Sequence, residues 1–142
     1  MPKILIKSRA EIEQFDLAPL TALISITDAN CSFATLKSEP AHVLRLAFDD
    51  VDNDLLDDET DAEKYHMFND AQAAQIASFY AQIHDKVDTI ICQCEHGQSR
   101  SAGVAAAILE YQSHNGIDIF ASDEYYPNKV VFRKTLQALS KQ

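Results

Sequence analysis

The sequence has few cysteines, no long apolar stretch and no excess of basic residues, and each absence excludes a class of protein. Only 3 cysteines occur among 142 residues, an odd number that does not predict a disulfide framework. No apolar run approaches the roughly 20 residues that a membrane-spanning helix needs. The first residues lack the apolar core of a signal peptide. We therefore expect a cytoplasmic protein with free thiols, and we ask which of these thiols is placed to react.

The charge of the chain argues against two classes of partner. The net charge is −10, which disfavours a nucleic acid or an anionic membrane surface as partner. Nearly all of the excess lies in residues 49–63, which contain no basic residue. A calcium loop over 50–61 would place glycine where Leu55 stands and glutamate where Asp61 stands. We therefore interpret the segment as a solvated acidic loop.

Alternating strand and helix patterns predict the fold class. Apolar runs predict strands at 3–6, 21–27, 42–48 and 88–92. Helices are predicted to begin after Ser8, to begin at Asn69 or Asp70, to span 101–112, and to begin at about Pro127. Ser8 and Glu11 form a capping-box pattern at the start of the first. This order predicts one α/β domain over 1–142, with a central, largely parallel sheet flanked by helices.

A cysteine, a polar loop and a small-residue helix follow the last predicted strand, in the stretch "TIICQCEHGQSRSAGVAAA". A loop that runs into a helix N-terminus directs backbone N–H groups and the positive end of the helix dipole at one point. Gly97 helps such a loop to curl, and Arg100 adds a planar fork that can hold two oxygens. Cys94 lies at the base of the loop, where this field favours the thiolate, a nucleophile.

Cys94, five further residues, Arg100 and Ser101 form a C-x5-R-S motif. The segment resembles the phosphate-binding loop of the cysteine-dependent protein tyrosine phosphatase superfamily, especially its compact dual-specificity type and small bacterial relatives. The resemblance implies that Cys94 attacks phosphorus, that Arg100 and the loop amides hold the transition state, and that Ser101 aids hydrolysis of the phosphocysteine. The implied substrate-binding residues are Glu95, His96, Gly97, Gln98, Ser99 and Arg100.

The same resemblance implies an aspartic acid that protonates the leaving oxygen from a loop after an earlier strand. The stretch "HVLRLAFDDV" is similar to that strand and loop, and it places the acid at Asp50, with Asp49 and Asp52 as alternatives. The implied activity is hydrolysis of phosphomonoesters, in a phosphorylated protein or a small molecule, with no metal or cofactor. Phosphotyrosine is the leading substrate. The acidic segment disfavours phosphoinositides and favours substrates with basic residues near the phosphate.

Two positions differ from the family pattern, and other functions stay open. Gln93 stands where the family usually has histidine, and His96 stands where a small residue is usual. Gln93 motivates an alternative, a phosphate- or phosphopeptide-binding module with little catalysis. A sulfur-transfer or arsenate-reducing enzyme would also use a cysteine beside an anion loop. Cys92, Cys94 and His96 could be zinc ligands, but the sequence offers no evident fourth ligand.

Overall fold

The computed structural model describes residues 1–51 and 66–141. The strands are β1 (Lys3–Lys7), β2 (Thr21–Thr27), β3 (His42–Ala47) and β4 (Thr89–Gln93). The helices are α1 (Arg9–Gln14), α2 (Asp70–Ile83), α3 (Arg100–Ser113), α4 (Ile117–Ala121) and α5 (Lys129–Ser140). Most of the predicted acidic loop, including the alternative acid Asp52, lies outside the described residues.

The four described strands form one parallel sheet in the order β1-β4-β2-β3. β4 lies at its centre, where Ile91 is in register with Leu5 on one side and Leu23 on the other. Every residue of β2 is buried, as expected for a parallel strand covered on both faces. The predicted α/β class with a largely parallel sheet is confirmed.

Successive residues of β4 face two different cores, because side chains alternate across a strand. Ile90 and Cys92 belong to the larger core, which packs against α2, α3 and α5. Ile91 belongs to a smaller core with Ile12 of α1. Gln93 follows on the same face as Ile91, so a polar side chain lies at the end of the smaller core.

Helix caps explain where the helices begin. Ser8 and Glu11 form the predicted capping box of α1, and Asn69 rather than Asp70 caps α2, accepting from the Gln72 N–H. The short helix α4 was not predicted, because five residues are too few to show a helical periodicity.

The parallel arrangement brings three chain segments to one edge of the sheet. β2, β3 and β4 all end there, since parallel strands point the same way. Asp28 follows β2, Asp50 lies three residues after β3, and Cys94 directly follows β4. Ligands of open parallel sheets bind beyond the carboxyl ends of the strands, so this edge is the expected location of a site.

Candidate active site

The loop from Cys94 to Arg100 packs against the turn between β1 and α1. Gly97 has φ +68°, and a Cβ there would lie 2.7 Å from the backbone nitrogen of Ser8. The backbone N–H of Arg9 donates to the Glu95 carbonyl at 3.1 Å, and the Arg9 guanidinium lies 3.5 Å from the Glu95 carboxylate. These contacts hold the outer side of the loop and require glycine at position 97.

The backbone N–H groups of the loop are available as donors. Among the described residues, no hydrogen bond is donated by the backbone N–H groups of 95–99. The loop ends at the N-terminus of α3, where Ser99 occupies the N-cap position without a side-chain capping bond. Unpaired N–H groups at a helix N-terminus form a site for an oxyanion.

The two cysteines near this edge differ in what surrounds their thiols. The Cys94 side chain is 2 % exposed, and its Sγ lies 3.0 Å from the Ser101 Oγ. Cys92 faces the larger core, where burial raises the pKa of its thiol to about 12. Cys92 is therefore a neutral core residue, whereas Cys94 lines a pocket and has a polar neighbour.

Arg100 is a buried cation that is only partly paired. Its Nη1 donates to the Phe48 carbonyl at 2.7 Å and lies 2.7 Å from Oδ1 of Asp28. Its Nε is buried and has no acceptor in the described part of the chain. A buried donor without an acceptor is costly, so the geometry fits a guanidinium that is held at one end and offers Nε to an oxyanion.

The carboxylate of Asp50 lies in the same pocket, which has a volume of about 250 Å³. Its Oδ1 accepts hydrogen bonds from Ser99 Oγ at 2.8 Å and from Asn128 Nδ2 at 2.9 Å. The two oxygens of Asp49 accept instead from the backbone N–H groups of Ala29 and His66. The Asp49 carboxylate is therefore used in binding the backbone, and Asp50 is the residue of the two that lines the pocket.

Asn128 joins Asp50, the loop of residues 94–100 and the last helix. Its Oδ1 accepts from the Val131 N–H and so caps α5, while its Nδ2 also donates to the Val51 carbonyl at 3.1 Å. Its backbone N–H donates to the Ser99 carbonyl at 3.0 Å. This close approach requires Gly103 on α3, where a Cβ would lie 2.8 Å from the Asn128 carbonyl oxygen.

Gln93 supports the loop from within the smaller core. Its side chain is fully buried. Its Nε2 donates to the Cys94 carbonyl at 3.1 Å, and its Oε1 accepts from Ser25 Oγ at 2.5 Å. Both ends of the amide are thus bonded, which meets the requirement that buried polar groups be paired. An uncharged amide here holds the backbone of the residue that the sequence marks as nucleophile.

Most of the residues predicted for the site come together. One pocket is lined by Asp50, Cys94, His96, Gln98, Ser99, Arg100 and Tyr126. Ser101 contacts Cys94 from behind the pocket, and the Glu95 side chain points to Arg9 instead of into it. Sequence reasoning gave no role to Asp28, Asn128 or Tyr126. The position of Asp28 at the end of β2 could have indicated that it lies near the site. Asn128 and Tyr126 lie on the C-terminal segment, and only the tertiary fold brings them to the pocket.

Three further features concern metal ligands, thiols and membrane spans. In residues 1–51 and 66–141, no three His, Cys, Asp or Glu side chains are grouped as metal ligands would be. The three cysteines are free thiols, of which Cys31 is exposed. None of the helices in those ranges has the length and apolarity that crossing a membrane requires.

The fold is similar to that of solved dual-specificity phosphatases. Human DUSP28 superposes with a TM-score of 0.58 at 15 % identity, covering 99 % of this chain and 94 % of that one. PTPMT1 in complex with PI(5)P superposes with a TM-score of 0.54 at 14 % identity, covering 86 % of this chain and 78 % of that one. No protein-family model and no curated protein matches the sequence. The likeness therefore shows that this chain has the fold of these phosphatases.

Proposed function

We propose that the chain is a phosphomonoester hydrolase that forms a phosphocysteine intermediate, acting on phosphotyrosine or, more broadly, on phosphorylated proteins. The observation that carries the proposal is the pocket itself. A cysteine, a buried arginine with an unpaired Nε and a carboxylate line one small pocket, together with residues 96, 98 and 99 of a loop whose backbone N–H groups have no acceptor among the described residues. Each group has the type and place that phosphoryl transfer to sulfur needs.

In the first step the Cys94 thiolate attacks phosphorus and the P–O bond to the leaving group breaks. The loop amides and Nε of Arg100 hold the three equatorial oxygens, whose charge increases in the transition state. Two donors already occupy Oδ1 of Asp50, which leaves Oδ2 to carry the proton. Asp50 therefore gives that proton to the departing oxygen, which leaves as the free hydroxyl.

In the second step water attacks the phosphocysteine and inorganic phosphate leaves. Asp50, now a carboxylate, accepts a proton from the water, which restores its acid form. The P–S bond breaks and the electron pair returns to sulfur. Ser101, at 3.0 Å from Sγ, donates a hydrogen bond to the leaving thiolate. Loop amides and Arg100 supply the positive field, so the proposed cycle is complete with the residues of this chain.

The test is hydrolysis of p-nitrophenyl phosphate with EDTA present by the wild type, Cys94→Ser and Asp50→Asn, with Cys31→Ser as the control for loss of an exposed thiol. We expect turnover to vanish in Cys94→Ser and to fall in Asp50→Asn, by less than the roughly 10²–10⁴-fold that a general acid usually contributes, because 4-nitrophenolate leaves partly without a proton. Cys31→Ser stays at the wild-type rate. An acid quench during turnover traps phosphate on Cys94.

Three other outcomes distinguish the alternatives. Turnover that is lost only in Cys94→Ser would indicate that Asp49 or Asp52, and not Asp50, is the acid. Folded wild type that binds phosphate but turns over nothing between about pH 5 and 8, where such groups titrate, is a binding module. Persulfide on Cys94 after incubation with thiosulfate supports the sulfur-transfer alternative.

A further inference from the structure

Tyr126 places an exposed aromatic ring at the mouth of the pocket. Its side chain is 71 % exposed, one of few large apolar side chains in the described residues with such exposure, and it lines the same pocket as Cys94. The other lining groups are polar or charged, except for the Cys94 thiol. The polar groups bind a phosphoryl group, and Tyr126 offers the widest apolar surface for whatever the phosphoryl group is attached to.

The backbone around Tyr126 is fixed against the phosphate loop. Its N–H donates to the Gln98 carbonyl at 2.8 Å, and two residues later the Asn128 N–H donates to the Ser99 carbonyl at 3.0 Å. Pro127 between them has a fixed φ. The ring is thus carried by a segment attached to the loop at two points, so little backbone freedom is lost when a substrate contacts it.

We propose that Tyr126 is a specificity residue that packs against the aromatic ring of an aryl phosphomonoester, such as phosphotyrosine, once the phosphoryl group is seated in the loop. The inference rests on the proposed function and narrows its substrate class. Ring–ring contacts favour offset or edge-on geometry and contribute beyond simple burial. An alkyl phosphate such as phosphoserine leaves the Tyr126 ring in water, so the contact discriminates between the two classes.

The test compares kcat/KM for phenyl phosphate and a phosphotyrosine peptide with that for a phosphoserine peptide of the same sequence. The variants are Tyr126→Ala and Tyr126→Phe. Tyr111→Ala is the matched control, because Tyr111 is a second exposed tyrosine eleven residues along α3 from Arg100, about 16 Å at the rise of a helix.

We expect Tyr126→Ala to lower kcat/KM for both aryl substrates about two- to thirteenfold, the equivalent of one aromatic pair, mainly through KM. Phosphoserine turnover should change less than about twofold, within the usual effect of a surface substitution. Tyr126→Phe should keep the wild-type values, since the ring and not the hydroxyl makes the contact, and Tyr111→Ala should change neither class.

Equal losses on both substrate classes, or no loss on either, would overturn the proposal. A second measurement separates it from the proposed function. In a Cys94→Ser background, titration calorimetry compares the affinity for the two peptides with and without Tyr126→Ala. A selective loss of phosphotyrosine affinity supports the Tyr126 contact even if the wild type hydrolyses neither peptide. Unchanged affinity for both peptides refutes it.

Discussion

Asn128 gives the sharpest test of how the proposed acid is positioned, because its side-chain oxygen and its side-chain nitrogen bind different groups. Its Oδ1 caps α5 by accepting from the Val131 N–H, and its Nδ2 donates to the Asp50 carboxylate. Asn128→Ser keeps an oxygen for the cap, since serine is as good an N-cap as asparagine, but it removes the donor to Asp50. The variant should fold normally and mis-orient the acid.

The expected decrease in kcat follows from the hydrogen bond that Asn128→Ser loses. Asp50 is the protonated, neutral acid when it donates its proton, and a hydrogen bond between neutral groups contributes about 0.5–1.5 kcal/mol, which corresponds to roughly two- to thirteenfold in rate if all of it serves orientation. Ser99 Oγ still donates to Asp50 at 2.8 Å, so part of the orientation survives. We expect kcat to fall about fivefold, less than the loss in Asp50→Asn.

The assay compares two leaving groups. Phenolate is a poor leaving group and needs the proton from Asp50, whereas 4-nitrophenolate leaves more readily without it. The loss in Asn128→Ser should therefore be larger for phenyl phosphate than for p-nitrophenyl phosphate. Asn69→Ser is the matched control, because Asn69 caps α2 in the same way, accepting from the Gln72 N–H at 2.8 Å, and has no contact with Asp50.

Two results would refute this reasoning. If Asn128→Ser hydrolyses phenyl phosphate at the wild-type rate, the bond to Asp50 does not position the acid. If both substrates slow equally, the variant has disturbed the loop through the Ser99 carbonyl and not through the acid. Thermal unfolding should stay cooperative in both variants if both caps survive, with the larger decrease in Tm for Asn128→Ser, which also loses the bond to the Val51 carbonyl.

Three further predictions concern other contacts of the site. Asp28→Asn should lower KM about two- to fivefold in initial-rate assays, because the amide oxygen can still accept from Nη1 of Arg100 while the guanidinium charge is no longer neutralised by a carboxylate; an unchanged KM would contradict it. Gln93→Met should lower kcat and cost about 1–3 kcal/mol of stability, since a thioether cannot donate to the Cys94 carbonyl, while Gln93→His should restore part of kcat. Iodoacetamide near neutral pH should leave Cys92 unmodified in the folded protein, because the pKa of its thiol is raised to about 12; peptide mass mapping that finds Cys92 alkylated would be evidence against its place in the core.

Local patterns predicted the contiguous part of the site and missed the parts that come from distant segments. Cys94 to Ser101 could be interpreted from the sequence because the strand, the loop and the helix N-terminus are consecutive. The resemblance placed the acid at Asp50 but kept Asp49 as an alternative, since which carboxylate bonds to the backbone depends on the N–H groups of Ala29 and His66. Asn128 acts through tertiary contacts that no local pattern encodes.

The charge of the pocket explains why the loop geometry matters more than the single arginine. Arg100 is paired with Asp28 at 2.7 Å, and the Asp50 carboxylate lies in the same pocket, so the side chains alone supply no net positive charge. In the proposed reaction, a phosphate dianion beside the thiolate would therefore be stabilised by the amides of 95–99 and the N-terminus of α3. The loop that carries those amides packs against the β1–α1 turn, where Gly97 has φ +68°. In the proposed reaction, attraction for an anion would thus come chiefly from the loop backbone, since the nearby ion pairs Arg100–Asp28 and Arg9–Glu95 carry no net charge.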